Sequence, residues 1–207
     1  MASGRKPKFD RNDVLDAAMR VFWKKGFAGT SMSDLTDATG LNKPSLYGAF
    51  GNKEALFLAG LERYMEHYIQ PRFALLSEEG TPLRTRLKNY LIAVMRLQSE
   101  TQAPYGCYMS QCISDAASDI LSEPSTKTIL ETNSANVETI TALLCNDSEA
   151  KSLKLDKNAE DLALFLITIM HGTAALARSG VTTEKLERVA DRAITALGLP
   201  EEEPAVT

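Results

Sequence analysis

The chain has 207 residues, 44% hydrophobic and 24% charged, enough to bury a core as one domain or as a small domain joined to a larger one. Its formal net charge of −4 argues against a uniformly basic nucleic-acid binder, but residues 1–53 carry nine Lys/Arg against five Asp, or +4, which leaves −8 on the remainder. Three cysteines make no disulfide framework, and there is neither a signal-peptide core before Phe9 nor a fully apolar run long enough to span a membrane, so a soluble, cytoplasmic protein without a membrane partner is expected.

In chain order, residues 1–9 read as a flexible basic arm. A first helix is predicted over 10–25, with Val14, Leu15, Ala18, Val21 and Phe22 inward and Gly26 ending it. Ser31 with Asp34 approximates a capping box for a short second helix stopped by Gly40. Asn42 is a good N-cap for a third helix, Pro44 falls in its first turn, and Gly51 closes it. On that third helix Leu46 and Phe50 share one face, and the opposite face offers Lys43, Pro44, Ser45, Tyr47 and Gly48. A helix meant for a major groove needs such small and donor-bearing groups outward and a fixed apolar face inward.

The fourth helix is predicted from about Asn52 to Leu76 with Pro71 bending or breaking it, the fifth over 82–99, the sixth over 107–121 and the seventh over 124–144. Residues 146–156 are polar and read as a loop, followed by helices over 158–179 and 183–197 and an acidic tail over 200–207. The expectation is an all-α protein of about nine helices with a helix-turn-helix DNA-binding domain over 10–53 and a larger helical domain over 54–199.

The G-F-A-G-T-S run from Gly26, the turn residue Gly40, S-L-Y-G-A-F from Ser45 and K-E-A-L from Lys53 together resemble the N-terminal DNA-binding domain of the TetR family of bacterial transcriptional repressors. The resemblance covers Arg11 to Leu56 and implies a homodimer on a double-stranded, pseudo-palindromic DNA operator, released by a small-molecule effector. By position, Thr30, Ser31 and Ser33 at a helix N-terminus suit phosphate, and Asn42, Lys43, Pro44 and Ser45 are candidates for base edges, with Gly48 permitting close approach. Tyr47 and Lys53 match family positions that touch phosphate. The apolar stripes of the last two helices, Phe165, Leu166, Ile169, Met170 and Thr173 with Leu186, Val189, Ala193, Ile194 and Leu197, suit either core packing or a partner. In the resembling repressors such helices form a four-helix dimer bundle.

For the effector site, the body supplies Tyr64, Tyr68, Met95, Tyr105, Cys107, Tyr108, Met109, Cys112 and His171, an aromatic and thioether set fit for an apolar or mixed ligand of unknown identity. Cys107 near a helix start raises the alternative of a thiol-based redox or electrophile sensor. A small all-helical enzyme or adaptor is the other class, but no phosphate-binding, dinucleotide-binding or zinc-protease motif occurs. His67 and His171 lie on different helices, and no catalytic residue, metal site or cofactor is expected.

Overall fold

The structure is a computed structural model that describes residues 9–100 and 103–200, and the regular structure of those residues is all helical. The basic arm and the acidic tail lie almost wholly outside the described residues. Nine helices of eight or more residues occur among them: α1 (Arg11–Gly29), α2 (Met32–Thr39), α3 (Lys43–Phe50), α4 (Lys53–Tyr64), α6 (Leu83–Ser99), α7 (Tyr108–Ala116), α8 (Glu123–Asn146), α10 (Ala159–Arg178) and α11 (Thr183–Ala196). Two shorter ones are α5 (Gln70–Phe73) and α9 (Ser148–Ser152).

Local chemistry accounts for most of the boundaries. Asp10 caps α1 by accepting the Asn12 N–H at 2.7 Å. Gly26, with φ +71°, breaks the helical path near its end as the sequence predicts. At α2 the Ser31–Asp34 capping box is complete in both directions. Between α4 and α5 the chain takes a π-helical turn, Met65–Ile69, directly before Pro71. Proline lacks an N–H and crowds the preceding turn, so the wider π turn carries the helix past it instead of breaking it.

Two expectations are corrected. The helix expected over 107–121 ends at Ala116, and Asp119 adopts a left-handed φ of +53°. The segment expected as a loop over 146–156 contains α9 and a 3-10 turn, Leu155–Asn158. Asp147 accepts the Ala150 N–H at 2.8 Å and pairs with buried Arg86 at 2.8 Å, while the Ala150 side chain is fully buried. A cap, an ion pair and one buried methyl thus order a stretch whose composition alone reads as polar.

Two apolar clusters form the interior. One joins α1, α3 and α4 to Cys107, Tyr108, Met109 and Cys112 of the α7 region and to Ala174 of α10. The other packs α6, α10 and α11 with the end of α8. The first cluster runs through the expected boundary at residue 53, so the small N-terminal helical domain and the body share one core. The stretch Leu155–Arg178 is long and apolar enough by composition to cross a membrane. Here Ala163, Leu166, Ile167, Ala174 and Ala177 of that stretch are buried between neighbouring helices.

Candidate DNA-binding face and effector cavity

The third helix is held from behind. Leu46 is fully buried, Phe50 is nearly so, and the Arg11 guanidinium lies 4.2 Å from the Phe50 ring centroid while donating to the Ala49 carbonyl. Asn42 caps the helix by accepting the Ser45 N–H at 2.9 Å, and Gly40 makes the preceding turn at φ +68°. With that face fixed, Asn42, Lys43, Pro44 and Gly48 are exposed, Ser45 and Tyr47 half-buried. Lys43 Nζ sits 5.4 Å from the Tyr47 ring centroid, which groups a cation and a phenol on the outer surface. Ser31 and Ser33 are exposed at the start of α2.

The structure moves two expected contacts inward. Thr30 is only 1% exposed and its hydroxyl donates to the Gly26 carbonyl at 2.6 Å, so it closes the Gly26 break from within and does not present a hydroxyl to phosphate. Lys53 is half-buried, its ammonium donating to the Phe27 carbonyl at 2.7 Å and lying 4.2 Å from the Phe27 ring centroid. Burial lowers its pKa. An ammonium has three N–H donors, so this bond leaves others for an outside acceptor. Asp34 is held at about 2, first by its bond to Lys25 and then by the Ser31 backbone and hydroxyl.

Behind the head, body residues grip the end of α1. Asp115 accepts the Phe27 N–H at 2.9 Å, Arg178 donates to the Trp23 carbonyl at 3.0 Å and also to Gln111, and Tyr108 donates to the Phe57 carbonyl at 3.0 Å. Glu54 at the start of α4 accepts the hydroxyls of Ser122 and Ser125. The sequence reading passed over Asp115 and Arg178, because polar residues scattered on helices give no signal until the fold brings them to one carbonyl-rich turn.

The effector candidates separate into groups. Cys107, Met109 and His171 line a small inner cavity of about 30 Å³, together with Ile69, Tyr90, Val94, Gln98, Asn136, Ile167 and Met170. His171 also borders an outer pocket of about 310 Å³ between α7 and α10, where Ser110, Gln111 and Arg178 supply the polar groups. Tyr64, Tyr108 and Cys112 are corrected to core positions: all three are fully buried, and Tyr64 and Tyr108 stack edge-on with each other, with Tyr64 also edge-on to Trp23. Tyr68 is half-buried against Trp23, and Met95 belongs to the distal core. Tyr105 is 52% exposed and borders an open cleft beside Arg20 and Lys24 instead. These side chains face the core or solvent because the α7 region packs against α4 and α1 and leaves only one flank toward α10.

Cys107 is the N-cap of α7, 7% exposed, and its sulfur accepts the Tyr64 hydroxyl at 3.3 Å. Burial pushes the Cys112 thiol well above its ordinary range, which keeps it protonated and inert. His171 bonds Ser110 through Nδ1 and Asn133 through Nε2 at 3.2 Å, and burial lowers its pKa, which favours the neutral ring. No group of three or more metal-ligating side chains occurs among the described residues.

The apolar stripes also divide. Leu166, Met170, Thr173, Leu186, Ala193 and Ile194, expected at a partner, are buried inside the chain's own core. Phe165, Ile169, Val189 and Leu197 are half-buried. The outward row on α10 is instead Leu164, Thr168, Gly172, Ala175 and Leu176, with Leu164 46% and Leu176 43% exposed. A helix hydrophobic on most of its circumference uses one side for its own core, and the sequence alone does not say which.

Comparison with known proteins agrees with this geometry. Residues 14–59 match the model of the family described as bacterial regulatory proteins, tetR family. The chain is 33% identical over 190 residues to the HTH-type transcriptional repressor ComR of Escherichia coli K12, covering 90% of this chain and 88% of that one. It is 29% identical over 183 residues to the repressor BdcR of the same organism, covering 88% and 86%. Among solved structures, a cysteine variant of the TetR family regulator CifR in complex with a 26-base-pair operator superposes with a TM-score of 0.79 at 28% identity, covering 93% of this chain and 99% of that one. The chain therefore belongs to the TetR family of bacterial regulatory proteins and is a helix-turn-helix transcriptional regulator, not an enzyme.

Proposed function

We propose that the protein is a homodimeric repressor that sets two copies of α3 into successive major grooves of a pseudo-palindromic operator and is released by a small molecule entering beside α10. The observation that carries this reading is the outer face of α3, where Asn42, Lys43, Pro44 and Gly48 are exposed while Leu46 and Phe50 anchor the helix beneath. The relatives ComR and BdcR are named repressors, and CifR was captured on operator DNA. In this reading Ser31, Ser33, Tyr47 and Lys53 meet phosphate, and Asn42, Lys43, Pro44 and Ser45 meet base edges.

Lys53→Ala is expected to weaken binding to every operator variant and to lower the salt dependence by about one ion, whereas Lys43→Ala also changes which variants are preferred. Shift assays across a panel of operator variants at several salt concentrations check this. A uniform loss for both substitutions overturns the base-edge role of Lys43.

Transmission would run along α10. His171 stands at the cavity and Arg178, seven residues later on the same side of the helix, holds the Trp23 carbonyl of α1. A ligand that shifts α10 therefore displaces the head to which the helix is bonded, and half-site spacing no longer fits.

A second reading has its own observation, the Cys107 sulfur at the cavity wall beside the Tyr64 hydroxyl. A small electrophile that enters the cavity would alkylate that sulfur. Under this reading Cys107→Ser abolishes the adduct at position 107 in peptide mass spectrometry, with the exposed Cys145 still labelled, and abolishes operator release after N-ethylmaleimide treatment. Unchanged release in Cys107→Ser removes it.

A further inference from the structure

The small inner cavity holds one polar anomaly. Gln98 is fully buried, its Nε2 donates to the Met170 carbonyl at 2.9 Å, and its Oε1 has no hydrogen-bond partner. A buried carbonyl oxygen without a donor is destabilising, so a fold that keeps it has a use for it or a donor to meet it. The amide cannot turn to relieve the oxygen without giving up its bond to Met170. Around Gln98 the cavity is apolar, with Ile69, Val94, Ile167 and Met170, and none of its lining side chains carries a fixed charge. Tyr90, also in the wall, stays protonated because burial pushes its hydroxyl well above the ordinary phenol range.

Size sets the second condition. A cavity of about 30 Å³ holds little more than a water-sized group. His171 is the one residue common to its wall and to the outer pocket of about 310 Å³. Once the imidazole swings off Ser110 and Asn133, the two spaces join into a volume within the roughly 300–1,000 Å³ of ordinary ligand sites. Met109 and Met170 border the inner end, and unbranched thioether side chains yield readily to an apolar chain.

We propose, resting on the effector-released reading above, that the effector is a neutral, elongated molecule with a hydrogen-bond-donating end that pairs with Gln98 Oε1 and an apolar body that replaces the His171 ring between the two spaces. Carboxylates are disfavoured because the inner end offers no cation, and molecules that only accept hydrogen bonds leave the Gln98 oxygen unpaired. Sites built around a hydroxyl discriminate strongly against analogues that lack it, for the same reason.

The test uses hexan-1-ol, its isomer pentyl methyl ether, which accepts but does not donate, and hexanoate, each titrated into the purified full-length protein with thermal melting and operator release as readouts. Hexan-1-ol is expected to raise the melting temperature and release the operator at a concentration at least about ten-fold below the ether, with hexanoate inactive. In Gln98→Met, where Thr173 still bonds the Met170 carbonyl at 3.0 Å, the advantage of the alcohol over the ether is expected to vanish. Equal potency of alcohol and ether in the wild-type protein, activity of hexanoate alone, or no response to any of the three overturns the proposal, and this comparison holds even if the variant fails to fold. Operator binding by the unliganded protein is measured first: its absence defeats the repressor reading, whereas its presence with no preference for the alcohol defeats this proposal alone.

Discussion

Replacing Trp23 with alanine is expected to cost about 3–5 kcal/mol of folding stability, the range for emptying a large aromatic site in a core. The ring is fully buried and meets Tyr64 and Tyr68 edge-on with centroids 4.9 and 5.5 Å away. The cavity would open where the head joins the body, so operator affinity falls together with stability. Trp23→Phe is expected to be far milder, because it keeps most of the aromatic packing and removes an indole N–H that is buried without an acceptor. Since the chain has a single tryptophan, urea unfolding followed by circular dichroism is the suitable readout for both variants. A loss below about 1 kcal/mol for Trp23→Ala would show that the head and body cores are not the single unit that their contacts imply.

On the homodimer proposed above, Leu176→Glu is expected to turn the dimer into monomers and to weaken operator binding by about 100-fold or more, since two linked heads gain that much over one. Leu176 lies on the outward row of α10 with Leu164, Thr168, Gly172 and Ala175, where small residues allow a second helix to approach closely. A charge there has solvent in the monomer but none in a tight helix pair. Leu166→Ala makes the contrast: Leu166 is fully buried in its own chain, so the expected result is a loss of about 2–5 kcal/mol in stability with the dimer face untouched. Light scattering of the two variants distinguishes these outcomes, and an intact Leu176→Glu dimer would place the interface elsewhere.

The head was legible because each of its features is local. Ser31 with Asp34, Asn42, Pro44 and the glycines at 26, 40 and 51 fix caps and turns through groups two to four residues away, and the structure shows each in that role. Thr30 misled because a threonine hydroxyl at a helix start reads as free to meet phosphate, whereas it turns back to Gly26. The body was less legible. Tyr64, Tyr108 and Cys112 were as plausible a pocket as Tyr90, Gln98 and Asn136, since both sets lie on amphipathic helices. Only the packing of α7 against α1 and α4 buries the first set in the head's core, leaving the second toward α10.

The sequence by itself therefore determined the helical class, the paired short helices, the exposed outer face of α3 and the uneven charge, because hydrophobic period, capping and charge act over a few residues. The tertiary structure decided the rest: which side of α10 is core, where Lys53 sends its ammonium, and how Asp115 and Arg178 hold the end of α1. Those choices depend on contacts between residues far apart in the chain, such as Trp23 with Arg178, whose meeting is fixed by how the helices pack.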